Sequence, residues 1–307
     1  MERSGTAAAC ARLGACEVTT KTPTFGLVGA AGYIAPRHMA AIKAVGGELV
    51  WAVDPHDAVG VLDRHWSHAE FYDSLAAAFK ESETLPDYVS ICTPNFTHCG
   101  LVEYALSKGC DVLCEKPLVL SLDELERVLR GERLHERRVW TVFQLRLLPQ
   151  VIELRRRVQT GFVAQEVDIV YDTYRGPWFR KAWKGDRRLS GGILFNIGIH
   201  FLDLLTWVFG TPATDVRLIQ NDPEACPEAA SMVGCCRLPG ASRVTWRLST
   251  SNPVTNRSMM VDRHPVIFDG VEGLHEQIYR NLIAGDGDRA SEAHEAIELA
   301  TRFMELA

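Results

Sequence analysis

The sequence predicts an α/β protein in two parts. An N-terminal domain built on a parallel sheet covers residues 25–147, and a C-terminal α+β domain with a mostly antiparallel open sheet covers residues 148–307. Three observations predict this. Residues 25–54 read as strand, glycine turn, helix and strand, and residues 87–118 repeat the β-α-β pattern. After residue 160, strand-like runs follow one another with few helices between them, as in an antiparallel sheet.

A chain of 307 residues has room for both parts. Its 47% hydrophobic and 23% charged residues fit an ordinary globular protein, and a net charge of −6 argues against a general binder of nucleic acid or anionic membrane. The nine cysteines form no C-x-x-C pair, and Cys92, Cys110 and Cys114 fall in apolar runs. There cysteine acts as a small buried hydrophobe, so neither a disulfide framework nor a metal site is expected. No apolar stretch approaches the ~18 residues of a membrane span. Residues 1–24 are small and polar and read as a loose tail. Within them "LGAC" at 13–16 resembles a lipoprotein cleavage box, but Arg12 interrupts the apolar segment that such a signal needs, so a cytoplasmic location is expected.

The first element is the apolar run Phe25, Leu27, Val28, followed by glycines and the helical stretch "APRHMAAIKAVGG". A second apolar run, "ELVWAVD", ends in Asp54. A β-α-β unit of about 30 residues that closes on an acid is the setting of a dinucleotide-binding Rossmann turn. The glycines depart from G-x-G-x-x-G and read G-x-x-G-x-x-A, with Gly29, Gly32 and Ala35. The physical needs are still met. Gly29 permits a sharp exit from the strand, Gly32 lets backbone N–H groups approach a pyrophosphate, and Ala35 lets the helix lie close on the sheet. The helix N-terminus then offers partial positive charge to the phosphates. A carboxylate at Asp54 accepts from ribose hydroxyls and repels a 2′-phosphate, which favours NAD over NADP.

In residues 87–118, two strand-like runs flank a helix, and each ends in a polar cluster. These are Thr93-Pro94-Asn95 with His98, and Glu115-Lys116-Pro117. Residues just past the carboxyl ends of parallel strands face the ligand crevice, which aims Lys116 at the reactive end of a cofactor rather than at bulk solvent. Pro117 is a candidate for a cis peptide bond.

"GLVGAAGYIAPRH", "CTPNFTH" and "CEKPL" together resemble the Gfo/Idh/MocA family of NAD(P)-dependent sugar and polyol oxidoreductases. "SGGILFNIGIHFLDLLTWVFG" at 190–210 is similar to that family's G-G-G-x-x-x-D-x-G-x-H-x-x-D segment. The chain departs in carrying Asn196 where the family has aspartate. With "FQLR" at 143–146 and "WKGDRRLSGG" at 183–192, it looks most like the UDP-2-acetamido-2-deoxyglucuronate 3-dehydrogenases of bacterial O-antigen pathways. The resemblance implies NAD held by Gly29, Gly32, Tyr33, Ile34, Asp54, Thr93, Pro94, Asn95, His98, Glu115 and Lys116. It implies a nucleotide-sugar substrate against Gln144, Arg146, Lys184, Arg188 and Asn196, with Lys116 and His200 catalytic and no metal. It further implies a homo-dimer or homo-tetramer, and a 2-oxo acid that reoxidises the bound cofactor.

Oxidising a secondary alcohol needs a hydride acceptor and a base. His200 can take the proton near neutral pH, with Lys116 stabilising charge on the substrate oxygen; the reverse assignment, with Lys116 as base, serves equally. An asparagine at 196 keeps hydrogen bonding while removing a charge that would repel a uronate, and a four-residue spacing puts Asn196 and His200 on one face if the segment is helical. His200 in so apolar a run also fits a satisfied core histidine. The basic loop "RGPWFRKAWKGDRRLSGG" suits a diphosphate and a carboxylate, or is simply a solvated charged loop. Beyond it, strand-like runs continue to "PVIFD" at 265–269, and two amphipathic helices close the chain. Two other readings remain: a different sugar or inositol dehydrogenase, 3-ketosugar reductases included, and a non-catalytic nucleotide-binding protein.

Overall fold

The computed structural model describes residues 21–222, 231–271 and 273–307; residues 1–20 of the predicted tail, with Cys10 and Cys16, and also Cys226, lie outside them. The N-terminal layer runs β1 (Thr24–Val28), α1 (Ala35–Ala44), β2 (Glu48–Val53), α2 (Val59–His65), β3 (Glu70–Tyr72), α3 (Leu75–Glu81), β4 (Tyr88–Ile91), α4 (His98–Ser107), β5 (Asp111–Cys114), α5 (Leu122–His135) and β6 (Val139–Thr141). All its pairings are parallel, in the order β3-β2-β1-β4-β5-β6. The order reverses between β1 and β4, and a crevice opens there past the carboxyl ends of the strands.

Local chemistry starts and stops these elements. Pro36 stands in the first turn of α1, where its missing N–H costs nothing. Ser121 caps α5 by accepting from Glu124 N, and the Glu124 carboxylate accepts from Leu120 N. Gly26 in β1 makes room for Trp51, which is fully buried; a Cβ there would come within 2.2 Å of the indole.

The second half runs α6 (Pro149–Gln159), β7 (Val167–Asp172), α7 (Arg187–Ser190), α8 (Ile199–Phe209), β8 (Thr214–Asp222), β9 (Ser231–Leu238), β10 (Ala241–Ser249), β11 (Asn256–Val261), β12 (His264–Val266), α9 (Leu274–Ala284) and α10 (His294–Glu305). Its sheet has the order β12-β11-β7-β10-β9-β8. It is mixed: β7 and β10 pair in parallel, and the other neighbours are antiparallel. The predicted strand at 265–269 is reduced to the short β12. One face packs on α8 and α10, where Trp246 meets Phe303 edge-on at 4.7 Å. The core runs without a break from this sheet into the first one.

Two features depart from the sequence reading. The helical run Arg187–Phe209 is long and apolar enough to pass for a membrane span, although no such run was expected. It is 78% buried inside the protein, which marks a core helix. The other is α9, which sequence order places with the second sheet. Its Tyr279 is fully buried and packs on Phe25 of β1 at 5.3 Å between ring centres, so the chain returns here to the N-terminal layer.

Candidate active site

The glycine turn sits at the crevice. Gly29 has φ +93°, a conformation that disfavours any side chain, and a Cβ there would meet the Cys92 carbonyl carbon at 2.9 Å. A Cβ on Gly32 would come within 2.9 Å of the Gly29 oxygen. Ile34, which precedes α1, provides no side-chain cap, so no side chain competes for the first N–H groups of that helix. Tyr33 beside it is 83% exposed. Asp54 lies just past β2; one carboxylate oxygen accepts from Ala31 N and the other from His56 N, both at 2.9 Å. Each oxygen keeps a further lone pair for a hydroxyl. A turn that excludes side chains, a helix start with no side-chain cap and a fixed carboxylate fit an NAD pyrophosphate and ribose.

Lys116 follows β5, and its bond to Pro117 is cis, as the sequence suggested. Half-buried, its Nζ donates to the main-chain carbonyl of Asn196 at 3.2 Å. That carbonyl belongs to a π-helical turn, Leu194–Gly198, which leads into α8 and His200. Wide turns of this kind recur at functional sites. Asn196 and His200 are both half-buried, but the link from Asn196 to Lys116 is through its backbone and not its amide.

Electrostatics here follow from crowding. Burial pulls Lys116 down to about 8, with Lys184, Arg175 and Arg257 adding to the fall and Glu115 opposing it. Burial pushes His200 well below the usual imidazole range, helped by Lys116 and Arg257, so its ring is neutral at pH 7. Among the described residues, Arg175, Lys184 and Arg257 have no carboxylate partner. The Arg175 Nε is buried without any hydrogen bond, and the exposed Arg257 donates to the Tyr171 hydroxyl at 3.0 Å. A cavity of about 260 Å³ is walled in part by Lys184 and Asn196, while Arg175, Arg257, Lys116 and His200 stand outside its lining.

Two family models cover this architecture. The Gfo/Idh/MocA model described as an oxidoreductase family with an NAD-binding Rossmann fold matches residues 24–143, and its C-terminal alpha/beta domain matches residues 163–252. The chain belongs to the Gfo/Idh/MocA oxidoreductase family. Among solved structures it is similar to the WlbA (WbpB) dehydrogenase from Thermus thermophilus in complex with NAD and UDP-GlcNAcA. Identity is 39%, with 91% of this chain and 94% of that one covered at a TM-score of 0.82. The WlbA dehydrogenase from Bordetella pertussis shares the fold, with a TM-score of 0.82 at 20% identity over 94% of this chain and 96% of that one. Among curated proteins, an inositol 2-dehydrogenase from Rhizobium meliloti is 29% identical over 64% of this chain and 57% of its own length. YteT, an oxidoreductase from Bacillus subtilis, is 30% identical over 43% of this chain and 32% of its own length. The chain thus matches between a third and somewhat over half of these curated relatives.

Within this oxidoreductase site several expected contacts are otherwise engaged. Arg146 is 4% exposed, and its guanidinium is held by Asp203, Asp288 and Glu292, leaving no free fork for a substrate. Arg188 lies at the surface with its guanidinium forked on Asp186. His98 is fully buried, its ring nitrogens on the carbonyls of Pro117 at 2.8 Å and Thr93 at 2.9 Å, so it ties together the two strand ends. The Asn95 amide donates to Ser190 O at 2.8 Å, and the Thr93 hydroxyl pairs with Thr97. Pro94 O accepts from Thr97 Oγ1. The Glu115 carboxylate turns away to His38 and His275. Gln144, by contrast, has a buried amide oxygen with no partner, just past β6. Sequence reasoning missed Arg175 and Arg257 as site cations. Arg175 was visible in the basic loop, whereas Arg257 belongs to β11, which only the sheet brings across.

Proposed function

We propose that the protein oxidises the 3-hydroxyl of UDP-2-acetamido-2-deoxyglucuronate to the ketone with NAD, as a step in bacterial polysaccharide assembly. The observation that carries this reading is the set of cations without carboxylate partners, Arg175, Lys184 and Arg257, around Lys116 and His200. Arg175 and Lys184 are half-buried and Arg257 is exposed, so together they make a positive wall whose field favours an anionic ligand. Asn196 in place of aspartate spares that ligand a repulsion. The Thermus thermophilus structure, captured with NAD and UDP-GlcNAcA, supports the same choice.

NAD, when bound, supplies the hydride acceptor. The chain's own task is the hydroxyl proton. Lys116, at about 8, is matched to near-neutral working pH and takes the proton in our assignment. His200, neutral throughout, accepts a hydrogen bond and orients the hydroxyl. The same cations suit a 2-oxo acid, whose keto group would take back the hydride and a proton from Lys116; a related Thermus thermophilus structure at 40% identity contains alpha-ketoglutarate. A neutral polyol, as for the inositol dehydrogenases, leaves the cations unanswered.

Protein as purified is expected to release NAD on denaturation. Native protein should gain absorbance near about 340 nm when UDP-2-acetamido-2-deoxyglucuronate is added, and not with inositol. Bound NAD that stays oxidised with the uronate but is reduced by a neutral sugar would refute the substrate. Removing one charge-assisted contact with Arg175→Gln should raise KM for the uronate about ten-fold or more, with a smaller change for UDP-N-acetylglucosamine, which keeps the diphosphate but lacks the carboxylate. Equal losses on both would show that Arg175 does not read the carboxylate.

A further inference from the structure

Behind Lys116 lies a buried polar cluster that the proton transfer does not use. His38 of α1, Glu115 at the end of β5 and His275 of α9 are all buried. His38 Nε2 and His275 Nε2 reach the same Glu115 oxygen, at 3.1 and 3.2 Å, while the other oxygen accepts from Lys116 N at 3.1 Å. His38 Nδ1 lies 2.9 Å from the Tyr279 hydroxyl, which pairs with the Ser90 hydroxyl at 2.6 Å.

One proton arrangement satisfies this whole chain. Ser90 donates to Tyr279, Tyr279 donates to His38 Nδ1, and both imidazoles donate from Nε2 to an ionised Glu115. Burial lowers the proton affinity of His38, in keeping with a neutral ring, and the two imidazole donors hold Glu115 well below the ordinary carboxylate range. Two histidines and a glutamate also make a possible metal set. Here, however, both Nε2 atoms address one oxygen as donors, and no polar atom of His38 or Glu115 is left without a partner.

We propose that His38, Glu115 and His275 form a positioning unit for Lys116, in which two imidazole donors fix an ionised carboxylate that offsets the cations of the cleft. The proposal rests on Lys116 as proton acceptor. Lys116 faces Lys184, Arg175 of the basic loop, Arg257 of β11, His200 of α8 and His98 of α4. Glu115 faces His38, His275, Tyr279 and the buried thiols Cys92 and Cys114. Without Glu115, Lys116 would stand among like charges and shed its proton too early to hold the one it receives. Because His38 lies on the cofactor-turn helix and His275 on α9, the unit also ties α9 to the strand end that carries the reactive lysine.

The test reads Lys116 without turnover, so a wrong substrate leaves it intact. Lysines are reductively methylated with 13C-formaldehyde, and the Lys116 signal is identified by its loss in Lys116→Met. Its titration midpoint should fall by about one unit or more in Glu115→Gln and return in Glu115→Asp. The midpoint of kcat/KM against pH should move in the same direction. An unmoved Lys116 midpoint in folded E115Q would overturn the proposal. Should E115Q not fold, 15N spectra of the wild-type histidines decide. Both imidazoles are expected to carry a proton on Nε2, hydrogen-bonded to Glu115. An Nδ1–H tautomer with a bare Nε2 on either ring, or loss of the Nε2–H signals on adding zinc, would refute the unit.

Discussion

Replacing Lys116 with methionine should slow reduction of bound NAD in a single turnover by about 10²- to 10⁴-fold, the usual worth of a positioned acid–base group. The cofactor content should stay as in the wild type. The reason is geometric: Gly29, Gly32, Asp54 and the start of α1 are separate from the Lys116 ammonium, and methionine keeps the volume of the half-buried stem. Only the bond to the Asn196 carbonyl and the titrating proton are lost. The pH profile gives the sharper readout. Oxidation needs the neutral amine, so kcat/KM should rise with pH through about 8, the value set by burial and the neighbouring cations. An anionic substrate stabilises the ammonium, so the midpoint in kcat should lie higher than that in kcat/KM. His200→Asn should lower the rate but keep the rise through about 8. Were the rise to vanish in His200→Asn and persist in Lys116→Met, the base and the orienting group would exchange roles.

What the sequence disclosed and what it hid divide along contact distance. The turn around Gly29, the acid at Asp54, the Glu115-Lys116-Pro117 cluster and the His200 segment are local patterns, each specified by a strand end and the helix that follows it. Their meeting in one crevice follows from the parallel order of the strands. What stayed hidden depends on pairs far apart in sequence. Glu115 looked like a cofactor contact because it follows β5, yet its partners are 77 and 160 residues away. His98 looked similar, and backbone carbonyls on two strand ends consume its ring. A spacing of four predicted a helical face for Asn196 and His200, but nothing in the pattern reveals a π turn that offers its carbonyl to Lys116. Arg188 contrasts with these: its partner Asp186 is only two residues away, and the fork between them lies at the surface.

Arg146 gives the largest stability effect. Its guanidinium donates to both oxygens of Asp203, at 3.0 and 2.5 Å, to Asp288 at 3.0 Å and to Glu292 at 2.7 Å. It also packs on Phe143 at 4.6 Å. These acids are 57, 142 and 146 residues from it, so one side chain joins the end of β6, α8 and the segment before α10. Arg146→Met keeps the bulk but leaves Asp203, 1% exposed, as a buried carboxylate without its cation. Breaking such a pair costs about 3–5 kcal/mol, and the thermal melt should fall accordingly. Adding Asp203→Leu should recover part of the loss, since it removes the most deeply buried of the stranded carboxylates and leaves only the more exposed Asp288 and Glu292 without their cation. Arg188→Ala, which removes an exposed pair, should leave the melt unchanged. Asp203 lies one helical turn beyond His200, so the single variant should also slow turnover by releasing α8, and the double variant should restore the melt further than the rate. A melt unaffected by Arg146→Met, with KM for the uronate sharply raised, would return Arg146 to the substrate.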